Sequence, residues 1–112
     1  INKEGSATYN NSVMAIEDFY EEVPEAKGRF NIYCYDGIGY TGMYGYPVME
    51  AARMVKAGED IDSINAYLKD ILGKRRIYFG IYNLKYAAKS GRIPTAAALV
   101  GDALGVKPVT IP

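Results

Sequence analysis

The sequence predicts an α/β fold class, and three observations carry that prediction. Residues 30–35 and 77–82 alternate with the two-residue period of a strand and are rich in aromatic and branched side chains. Around them, residues 9–20, 48–55 and 61–72 repeat apolar positions at the 3.6-residue period of a helix. A polar, glycine-rich segment, residues 36–45, leaves the first strand and leads to a helix, the kind of junction where open α/β sheets hold ligands.

The totals narrow the function. A chain of 112 residues can form one modest domain or part of a larger one. With 49% hydrophobic and 23% charged residues it belongs with globular chains rather than disordered ones. Thirteen basic and thirteen acidic residues cancel, so no net field draws it to nucleic acid or to an anionic membrane. No apolar run approaches the roughly 20 residues of a transmembrane helix. Cys34 is the single cysteine, which leaves no internal disulfide framework. The absence of histidine removes the ordinary zinc sites and histidine-based triads within this chain, and no metal, cofactor or catalytic residue is assigned. These totals favour a cytoplasmic binding module over a self-contained hydrolase.

Ile1-Asn2-Lys3-Glu4 reads as the end of a strand begun elsewhere, so the sequence is expected to be part of a longer chain. A helix follows from Thr8, with Tyr9, Val13, Ile16 and Tyr20 on one stripe and Pro24 and Gly28 ending it. Ser6 and Thr8 stand at its N-terminus, where they can cap the helix or receive an anion. Cys34, inside the first predicted strand, reads as a small core hydrophobe. The next helix is expected over residues 47–57, with Val48, Ala51, Ala52 and Val55 inward and Gly58 as its stop. Asp60 or Asp62 can cap a third helix that Gly73 ends. Lys74-Arg75-Arg76 is too short a basic run for nucleic acid and reads as a linker or partner-facing edge.

After the second strand, residues 83–111 hold two short helices around the turn Ser90-Gly91-Arg92-Ile93-Pro94. Asn83 can cap the first, Gly91 follows its end, and Pro94 suits the first turn of the second. Arg92, between two helix ends, can meet a carboxylate or phosphate in a bidentate pair, or simply neutralise a helix terminus. Gly37, Gly39 and Gly42 spell the G-x-G-x-x-G of a dinucleotide loop. The acids about 20 residues on, Glu59 and Asp60, precede a helix instead of ending a second strand, which counts against that motif.

Leu84–Tyr86, Ser90-Gly91-Arg92-Ile93, Gly101, Leu104-Gly105 and Lys107-Pro108 together resemble the DegV family of fatty-acid-binding proteins. Ser6-Ala7-Thr8-Tyr9-Asn10 is similar to that family's Ser-Gly-Thr-Tyr-Gln, whose serine holds the carboxylate of the fatty acid. Asp36, Thr41 and Gly45 match its Asp-Ser-x-x-x-Ser-x-x-x-Gly loop. The chain departs from the family at Ala7, Gly37, Ser90 and Pro94. The resemblance implies a portion of a two-domain fold. Residues 1–73 would be the later part of a Rossmann-like α/β domain, and residues 74–112 the start of an α+β lipid-covering domain.

It further implies a long-chain fatty acid as ligand, its carboxylate between the domains and its acyl tail under the second. A separate fatty-acid kinase subunit is an implied partner. Ser6, Thr8 and Arg92 would serve the head group, and Gly37, Thr41 and Gly42 the ligand loop. Phe79, Ile81, Ala97 and Val100 would line the tail pocket, where short alanine side chains leave room for an aliphatic chain. Two rival readings stand beside this one: a nucleotide-binding α/β enzyme domain using Gly37, Gly39 and Gly42, and a structural or interaction fragment without a ligand site.

Overall fold

The helix expected from residue 8 forms as α1 (Thr8–Glu22), and its stripe of Tyr9, Val13, Ile16 and Tyr20 is half-buried throughout. A 3-10 turn (Pro24–Ala26) and Gly28, at φ 76°, reverse the chain after it. The computed structural model describes residues 1–110; Ile111, which closes the predicted stretch 83–111, lies outside them. Two compact units result, Ile1–Ile77 and Tyr78–Pro112. The chain is helix-rich with little strand. Among the described residues no helix is long and apolar enough to cross a membrane.

The strand expected over residues 30–35 does not form: among the described residues it joins no ladder. A strand needs a neighbouring backbone edge, and none of the described residues offers one to this segment. The Tyr20 hydroxyl takes that place: it donates to the Phe30 carbonyl at 2.6 Å and accepts the Ile32 N–H at 3.1 Å. The Phe19 ring meets Phe30 edge-on at 6.1 Å. Phe30 is still 61% exposed, and Cys34, expected in a core, is half-buried. At the far end the Tyr35 hydroxyl donates to Asn65 Oδ1 at 2.5 Å.

The second helix, α2 (Gly42–Lys56), starts five residues before the expected position 47. Pro47 therefore lies inside it, fully buried, and gives up one intrahelical bond. Its inward stripe is Met43, Pro47, Ala51 and Met54, whereas Val48 and Val55 are 60% and 63% exposed. Reading Pro47 as a helix start hid Met43 and shifted the apparent stripe by one position. Asp60 caps α3 (Ile61–Lys74) by accepting the Ser63 N–H at 2.8 Å. This helix passes through Gly73, the expected stop, and ends one residue later. Ile64 and Leu72 from α3 and Met43 and Pro47 from α2 make up most of the buried core of the first unit.

In the second unit the predicted strand 77–82 contracts to β1 (Phe79–Gly80), paired antiparallel with β2 (Val109–Thr110). Phe79 stands opposite Thr110 and Gly80 opposite Val109. Asn83 caps α4 (Leu84–Ala88), accepting the N–H groups of Lys85 and Tyr86 at 3.1 and 3.4 Å. Gly91, at φ 75°, turns the chain toward α5 (Thr95–Ala103). Pro94 stands at the N-cap of α5 rather than in its first turn, with extended ψ. Leu84 and Ala98 are the buried contact between these helices, and Asp102 accepts the Leu84 N–H at 3.1 Å.

Candidate functional site

In the first unit the two loops singled out by their residue chemistry lie side by side. The Ile1 carbonyl accepts the Gly37 N–H at 2.9 Å. Asp36 Oδ1 accepts the N–H of Lys3 at 3.1 Å and that of Ile38 at 3.0 Å. The amide of Asn2, a buried polar side chain, donates to the Ile38 carbonyl at 3.4 Å and accepts the Glu4 N–H at 2.8 Å. These straps join residues 1–4, which lead to Ser6, to the glycine-rich loop that leads to Thr41.

Ser6 is half-buried and Thr8 exposed, and their hydroxyls are 2.9 Å apart. The Thr8 N–H also donates to Ser6 Oγ at 3.3 Å, an Ser-turn at the entrance to α1. The N-cap is Ala7, which offers no capping side chain, and the first turn of α1 carries no acid. Two hydroxyls therefore stand at the electropositive end of a helix without a resident carboxylate, a place where an anionic head group is favoured.

The glycine-rich loop is strained: Ile38 and Thr41 take φ 56° and 53°, a left-handed region costly for β-branched side chains. Gly37 and Gly39 are buried, and protein atoms occupy the space beside them. A Cβ at Gly37 would collide with the Ile1 nitrogen, and one at Gly39 with the Met43 thioether. The first two glycines of the G-x-G-x-x-G thus admit Ile1 and Met43 to close contact. Gly42 opens α2, and its carbonyl accepts from Arg75 Nη1 at 3.1 Å, while the same guanidinium lies 4.5 Å from the centre of the Tyr46 ring.

Two recesses border this loop. One, about 320 Å³, is lined by Thr41, Gly42, Met43, Arg75, Arg76 and Ile77. The other, about 270 Å³, lies among Ile1, Tyr35, Gly37, Tyr44, Pro47 and Leu68. Burial, then the neighbouring Tyr33, pushes the Tyr35 phenol above its ordinary value. Arg75 and Arg76, read from the sequence as linker, belong to the wall of the Thr41 recess. The signal for them was a basic run directly behind a helix, without a pattern tying it to residue 41.

In the second unit Arg92 is exposed, and its N–H donates to Ser90 Oγ at 3.4 Å. A recess of about 220 Å³ between α4 and α5 is lined by Lys85, Ala88, Lys89, Thr95, Ala98 and Leu99. Of the predicted tail residues, Phe79 and Ile81 are half-buried, and Ala97 and Val100 are exposed. None of the four lines that recess, whose wall is made by their neighbours Ala98 and Leu99.

Comparison with known proteins gives the family of the chain. The family model described as "Uncharacterised protein, DegV family" matches residues 1–110. A DegV domain-containing protein of Clostridium perfringens is 34% identical over 104 residues, 93% of this chain and 34% of that protein. The DegV domain-containing protein YteA of Lactococcus lactis is 31% identical over 104 residues, 93% of this chain and 35% of its own. The chain thus belongs to the DegV family, as a helix-rich portion of that family's α/β fold. It spans about a third of the length of these curated relatives. No solved structure matches it at the level of significance these relatives reach.

Proposed function

We propose that this chain forms part of a fatty-acid carrier: Ser6 and Thr8 receive the carboxylate of a long-chain fatty acid, and the acyl tail is taken up by the domain that residues 74–112 begin. The observation that carries the reading is the hydroxyl pair of Ser6 and Thr8, 2.9 Å apart at an acid-free helix N-terminus, in a chain of the DegV family. Hydrogen bonds to an ionised oxygen are about twice as strong as neutral ones, so two hydroxyls and a helix end suffice to orient a carboxylate. Gly37, Thr41 and Gly42 form the neighbouring ligand loop. Arg92 serves the head group or a fatty-acid kinase that takes the bound acid, and Phe79, Ile81, Ala97 and Val100 are candidates for the tail. The role is non-catalytic and cytoplasmic.

The test uses the intact protein, delipidated and titrated with palmitate, with NAD and ATP tried in parallel by thermal shift. Palmitate binding in the micromolar range or tighter, with no protection by either nucleotide, is the expected result. Protection by a nucleotide without fatty-acid binding would overturn it in favour of a phosphate-cradling glycine loop.

A further inference from the structure

The Ser6 loop and the glycine-rich loop also meet where the Tyr40 side chain lies against the Gly5 backbone. A Cβ built on Gly5 would collide with the Tyr40 hydroxyl oxygen and stand 3.3 Å from Tyr40 Cζ. Gly5 does not lie in the left-handed region. Its missing side chain therefore serves the tyrosine rather than the backbone. The tip of Tyr40 fills the space that any other residue at position 5 would claim. At its other end Tyr40 is committed to α2, because its carbonyl accepts the Met43 N–H at 3.1 Å. Its ring, half-buried, spans from the start of α2 to the residue immediately before Ser6.

Three hydrogen bonds already hold residues 1–3 to residues 36–38, and they end at Lys3. Beyond them the Ser6 oxygen is tied within its own turn, to the Thr8 N–H and hydroxyl, and it moves with that turn. Tyr40 packs against that loop one residue before Ser6. Small displacements of a hydrogen-bonding group weaken recognition sharply, and a site tuned to bond a polar head discriminates against an analogue that cannot return the bond.

We propose that Tyr40 is a positioning and specificity-determining residue for the Ser6–Thr8 site: seated on Gly5, it sets the Ser6 hydroxyl for a carboxylate and so selects a fatty acid over a neutral lipid of the same chain. This rests on the fatty-acid reading above. It assigns to the Gly5–Tyr40 pair a role in choosing the head group, separate from whatever encloses the tail.

The experiment compares palmitate with hexadecanol on the delipidated intact protein, by displacement of a fluorescent fatty acid. The unsubstituted protein binds palmitate the more tightly. Tyr40→Ala, and Gly5→Ala, whose methyl expels the phenol, each weaken palmitate about tenfold, the scale of one charge-assisted hydrogen bond. Both leave hexadecanol within about twofold, by the same scale. The double variant is no worse than either single one, because both remove one contact. Tyr40→Phe, the variant least apt to disturb folding, lowers the palmitate preference in the same direction by a smaller factor. Equal losses for acid and alcohol would reduce Tyr40 to a structural role and overturn the proposal, as would unchanged palmitate binding in all variants. Failure of the unsubstituted protein to bind palmitate would overturn the fatty-acid reading itself, and this inference with it.

Discussion

Asp36 accepts the backbone N–H of Lys3 at 3.1 Å across 33 positions of sequence, and with the same oxygen it holds Ile38 at 3.0 Å. A single carboxylate thereby fixes both the approach to Ser6 and the strained turn of the glycine-rich loop. Asp36→Ala should destabilise the first unit by roughly 1–2 kcal/mol, the range for lost charge-assisted bonds at a partly exposed site. Hydrogen exchange at Lys3 and Ile38 should quicken, while exchange in α3 stays slow. Asp36→Asn, which keeps an acceptor oxygen, should lose less. Unchanged exchange at Lys3 in the alanine variant would show that the strap holds nothing.

Ser6→Ala should weaken palmitate about tenfold or more, since it removes a bond to an ionised oxygen. Thr8→Ala should cost less, because Thr8 is exposed and its hydroxyl leans on Ser6. Titration with a fluorescent fatty acid measures both. The reverse order would move the head group to Thr8.

The cap of α3 titrates. The Ser63 N–H, then the Ser63 hydroxyl, holds the Asp60 carboxyl below its ordinary value. The unfolded chain therefore binds a proton at a higher pH than the folded one does. The contribution of the cap is complete above about pH 4 to 5 and falls as pH drops through the lower folded value. Urea midpoints between pH 6 and pH 3 should decline less steeply for Asp60→Asn, which caps without titrating. Parallel declines for the two proteins would remove Asp60 from the acid response.

The core of the second unit turns on Leu84, buried against α5, with Gly101 below it. A Cβ at Gly101 would collide with a Leu84 methyl. Leu84→Ala should cost about 2–5 kcal/mol, enough to melt so small a unit. Gly101→Ala should cost roughly 1–3 kcal/mol by overpacking. Combining them should cost less than the sum, because the alanine methyl enters the space the leucine leaves. Chemical-shift dispersion of residues 84–103 reports the outcome, and strict additivity would deny that the two positions share that space.

Tyr20→Phe should free residues 30–32, which lose both hydrogen bonds that stand in for a strand partner. Amide exchange at Ile32 is the readout, and protection that survives the substitution would point to another partner.

Caps and periodic stripes were legible because they are local. Asn83 and Asp60 cap the helices that their side chains predict, and Thr8 begins the first helix as its pattern requires. What misled was context. Phe30, Ile32 and Cys34 carry a true strand pattern, yet pattern alone supplies no neighbouring strand. Pro47 reads as a helix start because proline favours that place, but burial of its ring against α3 outweighs one lost hydrogen bond.

By itself the sequence determined the class of this protein, the caps at Asp60 and Asn83, and the helix that starts at Thr8, because each depends on residues a few positions apart. Only the tertiary structure decided that the segment before Ser6 and the glycine-rich loop lie side by side. It also decided that Gly37 and Gly39 make room for Ile1 and Met43, and that Gly5 is small for the sake of Tyr40. Apart from Gly39 and Met43, which are close in sequence, such contacts join residues more than thirty positions apart. Their partners are chosen by packing and by the satisfaction of buried polar groups, which no local pattern encodes.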